Sequence, residues 1–303
     1  MSLNKSEILH ITPAKGVFLD GPRNEGYSVC HPYVEHNLIE RVLREICFRC
    51  LWLPHKMWFN KAVKKAKAKY IIVFDPLITT EYLKWLQCQF SHAQLNFVYG
   101  NMVGKANHIL PHEIPQGWRV WTYDDYDSKK YGLRLFHENG YFKSYVRAKE
   151  DSIYDVVFVG CDKGRGEYLL ELQKRMNSEG LRTKFVIVAD GRLSKRKPYY
   201  HKALEYDEIV DLIVRSRAIL NVAMPNQQGI TMRDLESIFF NVKLITTNRN
   251  IVNTDIYNPQ NVFILDGLNI EGLKAFMENE TCPVPDEIKE KHSYDHFIEI
   301  IIG

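Results

Sequence analysis

Residues 155–172 read DVVFVGCDKGRGEYLLEL. Asp155 to Gly160 is a short run rich in β-branched and aromatic residues, as a strand buried on both faces requires, and Gly166 to Glu179 carries apolar residues at helical spacing. A strand, a glycine-rich turn and a helix in that order open a βαβ unit. The turn presents backbone N–H groups and the positive end of a helix, and Lys163 and Arg165 add charge where phosphates would sit. With Gly160, where strand meets turn, these are candidate diphosphate contacts. The run is neither a Walker A loop nor GxGxxG, and the same letters also suit a solvated βα loop.

The alternation continues downstream. Strands are predicted over Thr183 to Val188, Ala218 to Val222, Lys243 to Thr247 and Asn261 to Leu265, and helices over Tyr206 to Ser216 and Thr231 to Phe240. Such a series makes a doubly wound parallel sheet. Between the strand at 218–222 and the next helix lies NQQGITMRDLE, residues 226–236. Thr231 followed by Asp234 reads as a capping box, so Gly229 and Ile230 place N–H donors at a second helix mouth. Glu236, in the first two turns, can accept two hydrogen bonds from a ribose diol, or simply be a carboxylate favoured by the helix dipole.

Upstream the same unit recurs less cleanly. Gly16 to Leu19, Tyr70 to Phe74, Leu95 to Tyr99 and Arg119 to Thr122 read as strands that run into turns, with helices over Asn37 to Leu51 and Thr80 to Phe90. The charged stretch Arg147 to Tyr154 marks a linker, giving domains 1–150 and 151–303. Asp20 and Asp75 each follow a strand and are candidate general bases, although turn and cap residues share that signature. The YDDYD run at 123–127 has paired carboxylates but is read as a loop without metal. Glu287 to Ile302 is patterned as one helix.

The chain has 303 residues, 45% hydrophobic and 25% charged, with a net charge of +3. These values exclude a fibrous or disordered protein, and the charge is too small to imply nucleic-acid binding. Six cysteines are too few for a disulfide scaffold, and MSLNKSEILH has no signal-peptide apolar region, so a reduced, cytoplasmic protein is expected. Cys47 and Cys50 fall inside a helical pattern and read as structural thiols. His31, His36 and His55 have no partner at metal spacing. Trp52, Leu53, Trp58 and Phe59 precede Lys61 to Lys69, five lysines in nine residues. That pairing suits docking on anionic lipid, and it equally suits a core-facing helix with one lysine-rich side.

Residues 155–266 resemble the donor-binding domain of GT-B glycosyltransferases, especially bacterial enzymes of lipopolysaccharide and capsule synthesis. DVVFVGCDKGRGEYLLEL resembles the family's VGR…KG…LL opening, and QQGITMRDLESIFFNVKLITTN its GFG…LEAMA.G.PVI.T segment. The resemblance implies two Rossmann-like domains facing each other across a cleft, with the acceptor domain first and the last helix (about 287–302) packing back on it. It implies a metal-independent hexosyltransferase without a cofactor, taking a nucleotide-sugar donor and a saccharide or lipid-linked acceptor, in the cytoplasm or at the inner face of the membrane. Lys163 and Arg165 would contact the donor diphosphate, Gly229, Ile230 and Thr231 would offer N–H groups to it, and Glu236 would hold the ribose. Many retaining members carry Glu-x7-Glu, whereas this chain has Gln228 eight positions before Glu236. A neutral amide can hydrogen-bond a sugar hydroxyl but cannot transfer a proton as a carboxylate does.

Overall fold

The computed structural model describes residues 3–34, 37–49, 54–104, 109–136, 140–191, 197–224, 227 and 229–303. The chain divides into two units, Met1–Ser144 with Tyr294–Gly303, and Tyr145–Ser293.

The first unit is a six-stranded sheet of β1 (Ile8–Ile11), β2 (Ser28–Cys30), β3 (Tyr70–Phe74), β4 (Gln94–Tyr99), β5 (Trp118–Thr122) and β6 (Arg134–Leu135), in the order β2-β1-β3-β4-β5-β6. Every pairing is parallel. Helices α1 (Val17–Asn24), α2 (Leu38–Arg49), α3 (Thr80–Gln89) and α4 (Asp125–Tyr131) connect the strands. One sheet face is filled by Leu9, Ile11, Phe59, Ile71, Tyr82 and Leu86, all buried.

Two expectations are corrected here. Gly16 to Leu19 is not a strand: the strand is Ile8–Ile11, and Val17–Asn24 is helical. Gly16, at φ +61°, turns the chain into that helix, and the helix packs close because Gly21 has no side chain. A Cβ there would lie 2.5 Å from the Phe142 ring. Residues 123–127 are likewise not a free loop. Asp124 caps α4, accepting from the Tyr126 and Asp127 N–H groups at 3.0 and 3.1 Å.

The second unit holds β7 (Tyr154–Cys161), β8 (Thr183–Val188), β9 (Ser216–Asn221), β10 (Lys243–Thr246) and β11 (Val262–Ile264), ordered β11-β10-β9-β7-β8 and again all parallel. Its helices are α5 (Gly166–Ser178), α6 (Tyr206–Val214), α7 (Met232–Phe239), α8 (Leu273–Glu278) and α9 (Asp286–Lys291). Val156, Phe158, Leu169, Phe185, Leu220 and Ile245 form its core. The single helix expected over 287–302 is two, because the chain breaks at His292 and Ser293 before α10 (Tyr294–Ile302). Helix α10 lies in the first unit, where Phe297 packs on Phe74 and Phe136 and the Tyr294 hydroxyl bonds to His10 Nδ1.

Because each sheet is wholly parallel, all its carboxyl strand ends share one edge. The strand order reverses between β1 and β3 in the first unit and between β7 and β9 in the second. Open α/β sheets bind ligands at the carboxyl edge beside such a reversal.

Candidate functional site

The loop leaving β7 is organised by Asp162, a residue outside the expected diphosphate contacts. Asp162 is 1% exposed, and its carboxylate accepts from the Gly166 N–H (2.7 Å), the Tyr199 and Tyr200 hydroxyls (3.2 and 2.6 Å) and Lys197 Nζ (3.3 Å). Burial alone would push its carboxyl up. The bonds from Tyr200, Gly166, Lys197 and Tyr199 outweigh that and hold it at about 2. The same carboxylate draws the Tyr200 hydroxyl up to about 12. An acid just ahead of a helix's first turn is the signal that marks such a residue.

The turn itself is tight. Lys163 has φ +47°, and its N–H donates to Asp190 Oδ1 at 2.6 Å while its side chain stays exposed. Arg165 points back across the edge of the sheet. Its Nη1 donates to the Val222 carbonyl and its Nη2 to the Cys161 carbonyl at 3.4 Å, with the guanidinium 5.4 Å over the Phe158 ring. It therefore joins the exits of β7 and β9 at the point where strand order reverses. Gly160 leaves room for it: a Cβ there would sit 3.2 Å from Phe158 and 3.5 Å from Arg165 Nη2. Burial lowers the arginine's pKa from its ordinary value, but guanidinium stays protonated in proteins, so a positive charge is fixed at this edge.

Across the reversal lies the loop after β9. Gln228 is outside the described residues, Gly229 is half-buried and Ile230 is buried. Thr231 caps α7, but its N–H is already taken: N–H and Oγ1 both donate to Asp234 Oδ2, at 2.7 and 2.9 Å. Asn221, at the end of β9, donates to Thr231 Oγ1 and Asp234 Oδ1 at 3.1 and 2.8 Å. Thr247 Oγ1 accepts from the Ala223 N–H at 2.9 Å, linking the exits of β9 and β10.

Glu236 is fully buried. Its Oε1 accepts from the Tyr206 hydroxyl at 2.9 Å, and its Oε2 pairs with Arg233. Burial raises its carboxyl above the usual range against the pull of Arg233 and Tyr206, and Asp234 is raised for the same reason. Arg233 stands three positions before this glutamate on the same helix, a local pairing, whereas its Tyr206 partner and its depth were not legible in the sequence.

The first unit's candidates lie apart from one another in environment. Asp20 is on α1, about half exposed, and takes a 3.1 Å ion pair from Arg23; the loop expected to carry it is helix. Asp75 is buried at the end of β3, and its Oδ1 accepts from the Gly100 N–H at 2.6 Å. Asp127 Oδ2 accepts from the Val103 N–H at 2.6 Å. Among the described residues no group of three or more His, Cys, Asp or Glu is placed to hold a metal. Cys47 is buried in α2, and Cys50 and His36 lie outside the described residues.

Fold and edge geometry together define a protein of two Rossmann-like α/β units with a cationic, hydrogen-bonded strand edge in the second. Among solved structures, sucrose-phosphate synthase from Thermosynechococcus elongatus matches with TM-score 0.54 at 9% identity, over 90% of this chain and 89% of that one. MurG from Acinetobacter baumannii matches with TM-score 0.43 at 9% identity, over 97% and 98%. Anabaena HepE in complex with UDP-glucose matches with TM-score 0.43 at 11% identity, over 97% and 95%. No family model matches the chain, and no curated protein matches it by sequence.

Proposed function

We propose that the protein is a GT-B glycosyltransferase of the hexosyltransferase type, taking a nucleotide-sugar donor at the carboxyl edge of the second sheet. The observation that carries this reading is Arg165, a fixed charge joining the exits of β7 and β9 beside the exposed Lys163. The same two-unit fold in a sucrose-phosphate synthase is in keeping with it. In the reaction the bond between the anomeric carbon and the donor diphosphate breaks, and one forms to an acceptor oxygen. The acceptor's hydroxyl proton passes to a base, for which Asp75 is the candidate. Lys163 and Arg165 neutralise the leaving diphosphate, the task a metal would otherwise perform. The acceptor is a saccharide or lipid-linked sugar of a bacterial cell surface, as the resemblance of residues 155–266 implies.

Glu236 serves as the ribose acceptor in this scheme, which requires Arg233 to give up one carboxylate oxygen to the sugar. The alternatives on the same fold are a nucleotide-sugar epimerase or hydrolase and a non-catalytic nucleotide binder. Titration calorimetry with UDP, GDP, CMP and ADP tests the donor site. One nucleotide should bind selectively, and Glu236→Gln, which keeps an acceptor for Tyr206, should weaken it about tenfold. Equal or absent binding by all four removes the donor site. Release of nucleoside diphosphate from the matching nucleotide sugar separates a transferase from a binder.

A further inference from the structure

Helix α2 turns Arg44, Cys47 and Phe48 toward the protein. Arg44 is 1% exposed, its guanidinium 4.7 Å over the Tyr33 ring and 5.6 Å over Phe48, and it pairs with Glu45 at 3.0 Å. The outer face carries Leu38, Ile39, Val42, Leu43 and Ile46, which are 50% to 71% exposed. These positions, at i, i+1, i+4, i+5 and i+8, form one continuous apolar stripe.

Beside it runs PHKMWFNKAVKKAKAK, residues 54–69, with six lysines and no acidic residue. All six lysines are exposed, and Lys69 pairs with Glu7 at 2.6 Å. This segment shares the α2 layer: the Phe48 and His55 rings are 5.1 Å apart, and Phe48, Trp58 and Val63 pack on the same core cluster. Met57, 67% exposed, adds to the apolar surface. The aromatics expected to reach lipid are placed otherwise. Phe59 is buried in the core, Trp58 packs against it, and Trp52 and Leu53 lie outside the described residues.

We propose that the outer face of α2 and the lysines of residues 54–69 dock on an anionic lipid bilayer. The stripe would enter the headgroup boundary while the lysines meet lipid phosphates, so one occupant accounts for both features. A second copy accounts for neither. A stripe five aliphatic side chains long falls well short of the about 800 Å² per partner of a stable interface, and a two-fold contact would bring like lysine clusters together. The surface is independent of the donor reading, and its test uses no nucleotide.

Co-sedimentation of the full chain with neutral phosphatidylcholine vesicles, and with vesicles containing about 30% phosphatidylglycerol, at about 0.1 M salt, tests it. The protein should pellet with the anionic vesicles only. Ile39→Glu with Leu43→Glu should weaken that partition at least about tenfold with the circular dichroism spectrum unchanged, and Lys61→Glu and Lys65→Glu about fivefold each. Protein that stays in the supernatant with both vesicle types overturns the proposal, as does binding that survives the α2 changes. A dimer that those changes split, with vesicles ignored, assigns the face to a second copy instead.

Discussion

The two sheets share a topology rule but use their carboxyl edges differently. At the second sheet's reversal a half-buried arginine ties two strand exits and an exposed lysine stands beside it. Near the first sheet's edge three carboxylates accept from backbone: Asp75 from Gly100, Asp127 from Val103, Asp124 from Tyr126. Fixed cations suit a diphosphate, and a carboxylate at a strand end suits a hydroxyl that must lose a proton. The shared scaffold supplies a place for chemistry and leaves the loop residues to choose it.

The largest expected effect is Gly21→Ala in the first unit. Its Cβ would meet the Phe142 ring at 2.5 Å, and thermal unfolding should show a loss of about 3 kcal/mol, more than for any single change at the second edge. Arg165→Ala should weaken the selected nucleotide about 100-fold in calorimetry and also lower the melting temperature, because the guanidinium serves both ligand and strand exits. Normal affinity there would remove the cationic half of the contrast.

Asp75→Asn keeps an acceptor for the Gly100 N–H, so turnover should fall about 100-fold with nucleotide affinity unchanged. Retained turnover would make Asp75 purely a backbone acceptor. Lys163→Ala should lower turnover about tenfold without a stability change, since the side chain is exposed.

A further effect is a pH dependence. Asp162 is depressed from 3.8 to about 2, so the stability it contributes is present above its unfolded value and lost as pH falls from about 4 through about 2. In Asp162→Asn that part of the acid limb should be missing from denaturation curves, with stability lower at neutral pH.

Parts of this arrangement were legible in the letters because they depend on local pattern. Residues 155–160, 183–188 and 218–222 are short apolar runs bounded by turn signals, as buried parallel strands require, and β7, β8 and β9 lie on them. Thr231 and Asp234 announced the cap of α7, and Asp234 makes the return bond to the Thr231 N–H. The cap also occupies that donor, which spacing alone does not reveal. Strand β1 was obscured because ILHI is four residues with a histidine inside, a residue accommodated by Phe74 and Tyr294 from elsewhere in the chain. Tyr199 and Tyr200 reach Asp162 from 37 and 38 residues away, so only its bond to the start of α5 had a local signature.

The sequence by itself determined the alternation of strand and helix, the parallel sheets that follow, and which loops present cations, because periodicity and turn chemistry act over a few residues. The tertiary structure alone decided what those charges face. It buried Glu236 against Tyr206, placed Arg165 over the reversal of strand order, and turned the aliphatic face of α2 outward. Burial and partner choice are properties of surfaces brought together from distant parts of the chain, and a residue's own neighbours in sequence do not encode them.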